Sequence, residues 1–415
     1  MFSPLTPQQL STLSTDSRIE NTLLNKDIIY FPTISPPPTT ATEYVYIKRY
    51  MRLSTVKEKI LNAVLLAERI TGKKESLPVL SCVLLEASRE LSVRATNLEA
   101  GVEVTVPCEI EDKGTIAVSA TVLSHTLRSI AGDKITLKTE EGNLLVESRG
   151  TKTLIKAVPH DEFPILTAGK EKKGITIPRE RLLHGIQSVS YAASPSMIRP
   201  ELGSVYVSIR RDGIMCVATD SFRLAEKKIP GAGRKDEIEI LVPLRHALEL
   251  GHVLERIKDE EIELSADESQ MSVAGSEVRY TSRVVDGTFP DYKEIIPKTF
   301  SAEAVVLKND FAEMLRKARV FSGNDQHVGL HLYPKKKIFS ATARSSDVGE
   351  MSDSIDAAVS GEDLDINFHI GYLADCLSSI ESDSITLGFA GSGKPLVIRG
   401  VSDQSFTYLV MPLNR

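Results

Sequence analysis

Hydrophobic and polar positions follow two alternating periods along this chain, and the whole pattern repeats. Three stretches carry apolar residues at the spacing of one helix face, and they end at Ile130, Ile257 and Ile380. Each is followed five residues later by a segment in which every second residue is apolar, such as "ITLKT" from Ile135. That alternation predicts a half-buried strand, and two further strands follow it. The repeat distance is about 125 residues, which is the size of a domain rather than of a solenoid repeat.

A second amphipathic helix precedes each of these units. The three helices begin near residue 55, at Pro178 and at Lys308, and strand-forming segments such as "VLSCVLLEA" come after them. The sequence therefore predicts an α+β protein of three tandem homologous domains, each with two helices packed on antiparallel sheets. Polar linkers with Gly or Pro place the predicted domains at 51–170, 171–298 and 299–415.

Residues 1–50 differ from the rest in composition. They are rich in Ser, Thr and Pro and lack a sustained period, so they cannot bury a core. The segment is predicted to be disordered, or spurious because an upstream start codon was chosen, and we favour the second explanation.

Composition narrows the class of protein without naming a function. With 41% hydrophobic and 26% charged residues the chain is an ordinary globular protein, and it has neither an apolar run long enough for a membrane helix nor a secretory signal. The four cysteines lack CxxC spacing, which favours a reducing cytoplasm and no metal site. The net charge of -6 gives no sign of nucleic-acid binding, so any DNA contact requires basic residues gathered on one surface.

Two short motifs resemble catalytic ones but are predicted to be structural. "GFAGSGKP" (388–395) matches most of a phosphate-binding loop, yet Pro395 stands where Ser or Thr must hold magnesium. Because it joins two alternating strands, it is predicted to be a hairpin turn. "STVK" (54–57) has the SxxK spacing of acyl transferases without their companion motifs. Nothing in the sequence requires catalysis, and no cofactor is expected.

Several longer segments occur in an order that resembles a known family. They are "SLPVLSCVLLE", "TNLEAGVE" and "DEFPIL" in the first domain, "ATDSFRLA" (218–225) and "VDGTFPDYKEIIP" (285–297) in the second, and "YLVMPL" (408–413) in the third. Together they are similar to the beta subunit of bacterial DNA polymerase III, the sliding clamp, over residues 51–415.

The resemblance implies a fold, a function and partners. Two three-domain protomers would close head to tail into a homodimeric ring with helices lining the hole. The ring would encircle double-stranded DNA without sequence specificity and confer processivity, tethering the replicative polymerase in the cytoplasm, in association with the nucleoid. Such a protein is not an enzyme. A separate clamp loader would open it, and repair proteins would bind it through short linear peptides.

The resemblance also assigns candidate residues to three surfaces. The DNA-binding candidates on or near the helices are Arg69, Lys73, Lys74, Arg128, Arg179, Arg181, Arg256, Arg316 and Lys317. The candidates for the partner-peptide pocket are Leu202, Thr219, Ser221, Phe222, Arg223, Leu224, Pro290, Ile295, Val410, Met411, Pro412 and Leu413. The candidates for the dimer interface are Lys152, Thr153, Leu154, Val320 and Phe321.

Alternatives remain open at this point. Thr219 and Asp220 could simply shape the turn that follows a strand, and each basic residue could lie on a solvated helix face. Thr153 is smaller than the aromatic residue of some relatives, which puts the strength of the ring in question. The chain could instead be a hydrolase or transferase on an α+β scaffold, or a clamp-like scaffold that does not encircle DNA.

Overall fold

The computed structural model describes residues 50–72, 77–164, 174–231 and 237–413. The prediction for residues 1–50 therefore falls almost wholly outside the described residues. Lys73 and Lys74 fall outside them as well.

The helices repeat as the sequence predicts, two to each domain. They are α1 (Lys57–Ile70), α2 (Ala120–Ser129), α3 (Arg179–Val189), α4 (Leu244–Arg256), α5 (Lys308–Phe321) and α6 (Ile370–Asp375). Each presents one apolar face to the sheets. α5, for example, buries Phe311, Met314, Leu315 and Ala318, which lie on one face of a helix with 3.6 residues per turn. α6 is shorter than predicted, because its last residues form a 3-10 turn over Cys376–Ser379.

The strands also fall into three sets. The first domain holds β1 (Arg52–Val56), β2 (Cys82–Ala87), β3 (Leu91–Thr96), β4 (Ala100–Val106), β5 (Cys108–Asp112), β6 (Gly114–Ser119), β7 (Lys134–Glu140), β8 (Asn143–Ser148), β9 (Thr151–Ile155) and β10 (Ala157–Val158). The second holds β11 (Ile175–Pro178), β12 (Ser204–Arg210), β13 (Gly213–Thr219), β14 (Arg223–Pro230), β15 (Ile238–Pro243), β16 (Glu261–Ala266), β17 (Gln270–Ala274) and β18 (Val278–Arg283). The third holds β19 (Ala302–Leu307), β20 (His327–Tyr333), β21 (Ile338–Ser345), β22 (Gly349–Ile355), β23 (Ala357–Gly361), β24 (Leu364–His369), β25 (Ser384–Phe389), β26 (Leu396–Gly400) and β27 (Phe406–Val410).

Two of the sheets run across domain boundaries. β4 of the first domain pairs antiparallel with β18 of the second, with Val102 opposite Tyr280. β14 of the second domain pairs in the same way with β27 of the third, with Ala225 opposite Tyr408. Each junction therefore lies inside a nine-stranded sheet and is held by a backbone hydrogen-bond ladder.

The two remaining sheets end at unpaired strands. A five-stranded sheet of the first domain ends at β9, and a four-stranded sheet of the third domain ends at β22. Among the described residues β9 pairs only with β8 and β22 only with β21, so the outer side of each strand presents backbone groups that are free to pair.

The core lies between the helix layer and the sheets. α1 packs on α2 and also on α4 of the next domain, α3 packs on α4, and α5 packs on α6. Tyr280 in the second domain and Tyr408 and Phe311 in the third are among the largest fully buried side chains. Because the helices contact one another in this order, they form a layer on one side of the sheets.

A basic residue at the start of the first helix caps the second helix in every domain. Lys57 Nζ donates to Ile130 O over 2.6 Å, and Lys308 Nζ donates to Ile380 O over 2.7 Å. Arg179 fills the same position and donates to Leu254 O over 2.9 Å. A cation at a helix C-terminus satisfies carbonyls that have no partner within the helix.

The glycine-rich "GSGK" segment is a turn. β25 and β26 pair antiparallel with Phe389 opposite Leu396, and the segment connects them. The predicted hairpin is therefore confirmed. Among the described residues no helix is long and apolar enough to cross a membrane.

Candidate partner pocket, inner face and open edges

The segment "TDSFR" after β13 forms a tight turn built from its own polar side chains. Thr219 Oγ1 donates to Arg223 O over 2.7 Å, and Asp220 Oδ1 accepts from the backbone N–H groups of Phe222 and Arg223, both over 2.9 Å. Ser221 adopts a left-handed conformation with φ of 78°. The turn holds Phe222 outward, with 61% of its surface exposed.

The first domain contains the same turn. Thr96 Oγ1 donates to Ala100 O over 2.9 Å, and Asn97 Oδ1 accepts from the N–H groups of Glu99 and Ala100. Leu98 has a φ of 75° at the position of Ser221. Thr219 and Asp220 thus shape the turn that follows β13, which was one of the alternatives left open by the sequence. They also position the neighbouring side chains.

Arg223 connects the second domain with the third. Its Nε donates to Asp220 Oδ2 over 2.9 Å and its Nη1 to Asp375 Oδ2 over 2.5 Å, while the guanidinium lies 4.3 Å from the ring centroid of Tyr372. Burial opposes the charge, but electrostatic contact with Tyr408 and the Asp375 hydrogen bond outweigh it and raise the pKa of Arg223. The side chain is therefore fixed on both sides, at the place where the sequence predicts the partner-peptide pocket.

The last described residues of the chain lie beside the same turn. Met411 N donates to Phe222 O over 2.8 Å, and Leu413 N donates to Asn367 O over 2.8 Å. Met411, Pro412 and Leu413 are half-buried. This extended segment therefore runs between the turn of the second domain and β24 of the third.

The segment after β18 packs against the same region through its aromatic residues. Tyr292 packs with Leu224 and Leu409 in one apolar cluster that Met411 borders. Its hydroxyl donates to Glu226 Oε2 over 2.5 Å. Pro290, half-buried, and Ile295, 53% exposed, flank Tyr292 on the chain. Leu202, Leu224 and Val410 are buried.

Three residues around Arg223 were missed by the sequence reasoning: His369, Tyr372 and Asp375. The rings of His369 and Tyr372 lie 4.2 Å apart, and Tyr372 N donates to His369 Nδ1 over 3.3 Å. Burial, and then the nearby charge of Arg223, lower the pKa of His369 and favour its neutral form. No local motif marks these residues, because they meet Arg223 only through the fold.

The basic candidates for DNA contact fall into two groups. Arg69, Arg128, Arg256 and Arg316 are exposed on the helix layer, and Arg256 Nη1 donates to Asn62 Oδ1 over 3.4 Å, between α4 and α1. Lys317 is also exposed and bridges Asp353 over 2.8 Å.

Arg179 and Arg181 are engaged with the protein itself. Arg179 caps α4 and leaves only 16% of its side chain exposed, and Arg181 Nη1 donates to the carbonyls of Pro230 and Gly231. The structure therefore gives both arginines an internal partner, and they are not included in the DNA surface proposed below. This distinction is invisible in a sequence, where all these residues lie on predicted helices.

The interface candidates lie at or beside two edge strands, β9 and β22. Lys152, Thr153 and Leu154 form the middle of β9, and Leu154 is 49% exposed. Val320, 62% exposed, and Phe321, half-buried, end α5 beside β22. Among the described residues no group of His, Cys, Asp and Glu is placed to hold a metal ion.

Three family models cover nearly all of the described chain. They are the N-terminal, central and C-terminal domains of the DNA polymerase III beta subunit, which match residues 51–167, 176–291 and 293–414. The architecture is that of a clamp subunit made of three similar domains. The chain belongs to the DNA polymerase III beta-subunit family, the beta sliding clamps, and is a non-catalytic subunit.

Individual relatives agree with this assignment. The chain is 26% identical to the beta sliding clamp of Synechococcus elongatus over 371 residues, covering 88% of this chain and 99% of that protein. It is 27% identical to the clamp of Streptomyces coelicolor, again covering 88% and 99%. The crystal structure of the DNA polymerase III beta subunit from Thermotoga maritima superposes with a TM-score of 0.83 at 27% identity, covering 88% of this chain and 100% of that one.

The strained turn gives a testable prediction. Ser221→Gly removes a left-handed strain of roughly 1–2 kcal/mol, partly offset by the greater freedom of glycine in the unfolded chain. We expect the free energy of unfolding to rise by roughly 0.5–1 kcal/mol, measured by urea denaturation. Ser196→Gly, at an exposed serine without positive φ, is the control and should not stabilise. A loss of stability in Ser221→Gly would contradict the strained geometry.

Proposed function

We propose that two copies of this chain close head to tail into a ring that encircles duplex DNA and tethers the replicative polymerase to it. The observation that carries the proposal is the pairing of sheet edges between domains. Both junctions within the chain join a strand of one domain to a strand of the next, and β9 of the first domain and β22 of the third each lack a strand on their outer side among the described residues.

Symmetry supports closure by a second copy. A head-to-tail contact uses two different surfaces, and it gives a ring if the rotation closes and an open filament if it does not. β22 carries exposed Glu350, whereas β9 is followed by exposed Lys156. The two edges therefore have complementary charge as well as unpaired backbone groups.

The helix layer supplies a surface suited to DNA. Exposed Arg69, Arg128, Arg256 and Arg316 offer mobile positive charge to phosphates, which gives binding without sequence preference. A net charge of -6 is compatible with this role because the field near the DNA depends on the local distribution of charge. The four arginines need not bind tightly, because a closed ring cannot leave DNA sideways.

The pocket between Arg223, Tyr372 and Met411 is suited to a short peptide of a partner protein. A flexible thioether, an aromatic ring and a fixed cation beside apolar walls accept varied side chains. We propose that the polymerase, the clamp loader and repair proteins compete for this pocket. The ring itself needs no cofactor, and the separate loader would supply the energy that opens it. We place the protein in the cytoplasm, in association with the nucleoid.

Retention on DNA circles tests the ring directly. The protein is loaded onto nicked circular DNA with a clamp loader, separated on a sizing column in moderate salt, and tested again after one cut of the circle. We expect retention on the circle and release from the linear form, because only topology distinguishes the two. Equal loss from both, after a known clamp has passed the same test, would favour a scaffold that does not encircle DNA.

The pocket is tested separately from the ring. Met411→Glu places a carboxylate against the apolar cluster that contains Tyr292 and Leu409, and we expect at least about a tenfold loss of polymerase processivity on a primed circle, because covering that charge with a bound peptide costs free energy. Val401→Glu, at an apolar residue with 47% exposure on a turn of the same domain, is the matched control. Both variants should stay on circular DNA. Normal processivity in Met411→Glu would remove the pocket from the mechanism.

A further inference from the structure

The backbone contacts that surround the proposed partner pocket recur at the junction between the first and second domains. Arg283 N donates to Glu99 O over 2.8 Å, in the way that Met411 N donates to Phe222 O at the junction between the second and third domains. Glu99 and Phe222 each follow the left-handed residue of their turn. The first junction therefore repeats the backbone of the second, with charged side chains at two positions where the second has apolar ones.

The helices at the two junctions can be aligned through a buried tyrosine. The Tyr280 hydroxyl donates to His246 O over 3.1 Å, and the Tyr408 hydroxyl donates to Tyr372 O over 2.9 Å. His246 and Tyr372 are the third residues of α4 and α6, respectively. The start of α4 is therefore the counterpart of the start of α6, which borders the proposed partner pocket.

One ion pair of the second junction lacks its cation in the first. At the second junction Arg223, in the turn, donates to Asp375 of α6. Glu249 is the counterpart of Asp375, because each is the sixth residue of its helix. In the repeated turn of the first domain, however, Ala100 has the position of Arg223. The first junction therefore keeps the carboxylate without a guanidinium from the turn.

Glu249 is nevertheless buried, with 9% of its surface exposed. Its Oε1 accepts from Arg245 Nε on the same helix over 3.0 Å, whereas Oε2 has no hydrogen-bond donor among the described residues. The neighbouring Tyr280 hydroxyl donates to His246 O instead. Burial raises the pKa of Glu249. A buried carboxylate oxygen without a donor costs free energy, so the protein gains if a bound molecule supplies a cation.

Glu249 lines a cavity of about 840 Å³ at this junction. Leu244, Leu248 and Met197 contribute apolar surface to the cavity, and more than half of Leu248 and of Met197 is exposed. The first domain contributes polar side chains, among them Thr71 after the end of α1. Apolar walls with a few polar groups are typical of ligand sites, and the volume is within their usual range.

One loop of the second domain reaches both the cavity and the proposed partner pocket. Ser194 and Met197 line the cavity, and Ser194 N donates to Leu202 O over 2.9 Å. Leu202 is a candidate residue of the partner pocket. Ile198, which is 91% exposed, follows Met197 and adds apolar surface to the same loop. Because five residues span at most about 18 Å, Met197 and Leu202 are near neighbours.

We infer that the cavity between the first and second domains is a second docking site for a short peptide that carries a basic residue beside an apolar one. The basic group takes at Glu249 the place that Arg223 has at Asp375, and the apolar residue packs on Leu248 and Met197. This inference rests on the proposed partner pocket, which is the model for the occupant, and adds a site with a different preference. A partner held at both sites gains affinity through its high effective concentration at the second.

Peptide binding to the full chain tests the inference. The probes are two matched pools of short synthetic peptides, one that pairs leucine or phenylalanine with arginine and one with glutamate in place of arginine. Both are added to Met411→Glu, in which the partner pocket is blocked, and binding is measured by fluorescence anisotropy. We expect the basic pool to bind at least about tenfold more tightly than the acidic pool, because only the basic pool supplies a cation to Glu249.

Two further substitutions in the Met411→Glu chain identify the site of binding. Glu249→Gln keeps the shape and removes the charge, and Leu248→Arg replaces part of the apolar wall with a competing cation. Each should weaken binding of the basic pool about tenfold. Val401→Arg, at an exposed apolar residue of the third domain, is the matched control for Leu248→Arg and should leave binding unchanged. Thermal unfolding checks that every variant is folded.

The outcomes separate this inference from the proposed function. Absence of binding by the basic pool at millimolar concentration, or binding that survives both cavity substitutions, would overturn the inference. Unchanged peptide binding together with a changed affinity for a short DNA duplex in Leu248→Arg would assign the cavity to the DNA surface and also overturn it. None of these results depends on the ring or on the polymerase, so the proposed function would stand or fall on its own tests.

Discussion

Backbone hydrogen bonding at sheet edges is the constraint on which the rest of this structure depends. A strand at an edge presents N–H and C=O groups that must pair or face water, and here each domain pairs its edge with the next domain. β4 with β18 and β14 with β27 make the chain one continuous succession of sheets. The helix layer and the partner pocket follow from this succession, because Arg223 and Tyr372 meet only where β14 meets β27.

The three repeated domains could be predicted from the sequence, but the contacts between the domains could not. Hydrophobic periodicity located all six helices and the hairpin after Phe389, since burial of one face constrains a whole element. Tyr372 and Asp375 escaped notice because their partner, Arg223, is distant in the sequence. Arg179 and Arg69 both lie on predicted helices, and only the fold distinguishes a cap on α4 from an exposed cation.

In a sliding clamp, retention on DNA does not depend on high affinity for DNA. An enzyme must hold its ligand by contacts, whereas a ring holds DNA by connectivity, so weak and sequence-independent contacts with exposed arginines are sufficient. Holding DNA then depends on the stability of the contact between subunits, which closes the ring and must also be able to open. Within the chain, Tyr280 and Tyr408 are completely buried at the two junctions and help to hold them closed.

Solution scattering combined with sedimentation tests the central claim, that unpaired edges of two copies close the ring. The account predicts a single particle with twice the 45.5 kDa mass of one chain and the scattering profile of a hollow ring. Particles that grow with concentration into longer open chains, or a monomer alone at concentrations well above those of the cell, would contradict closure by these two edges.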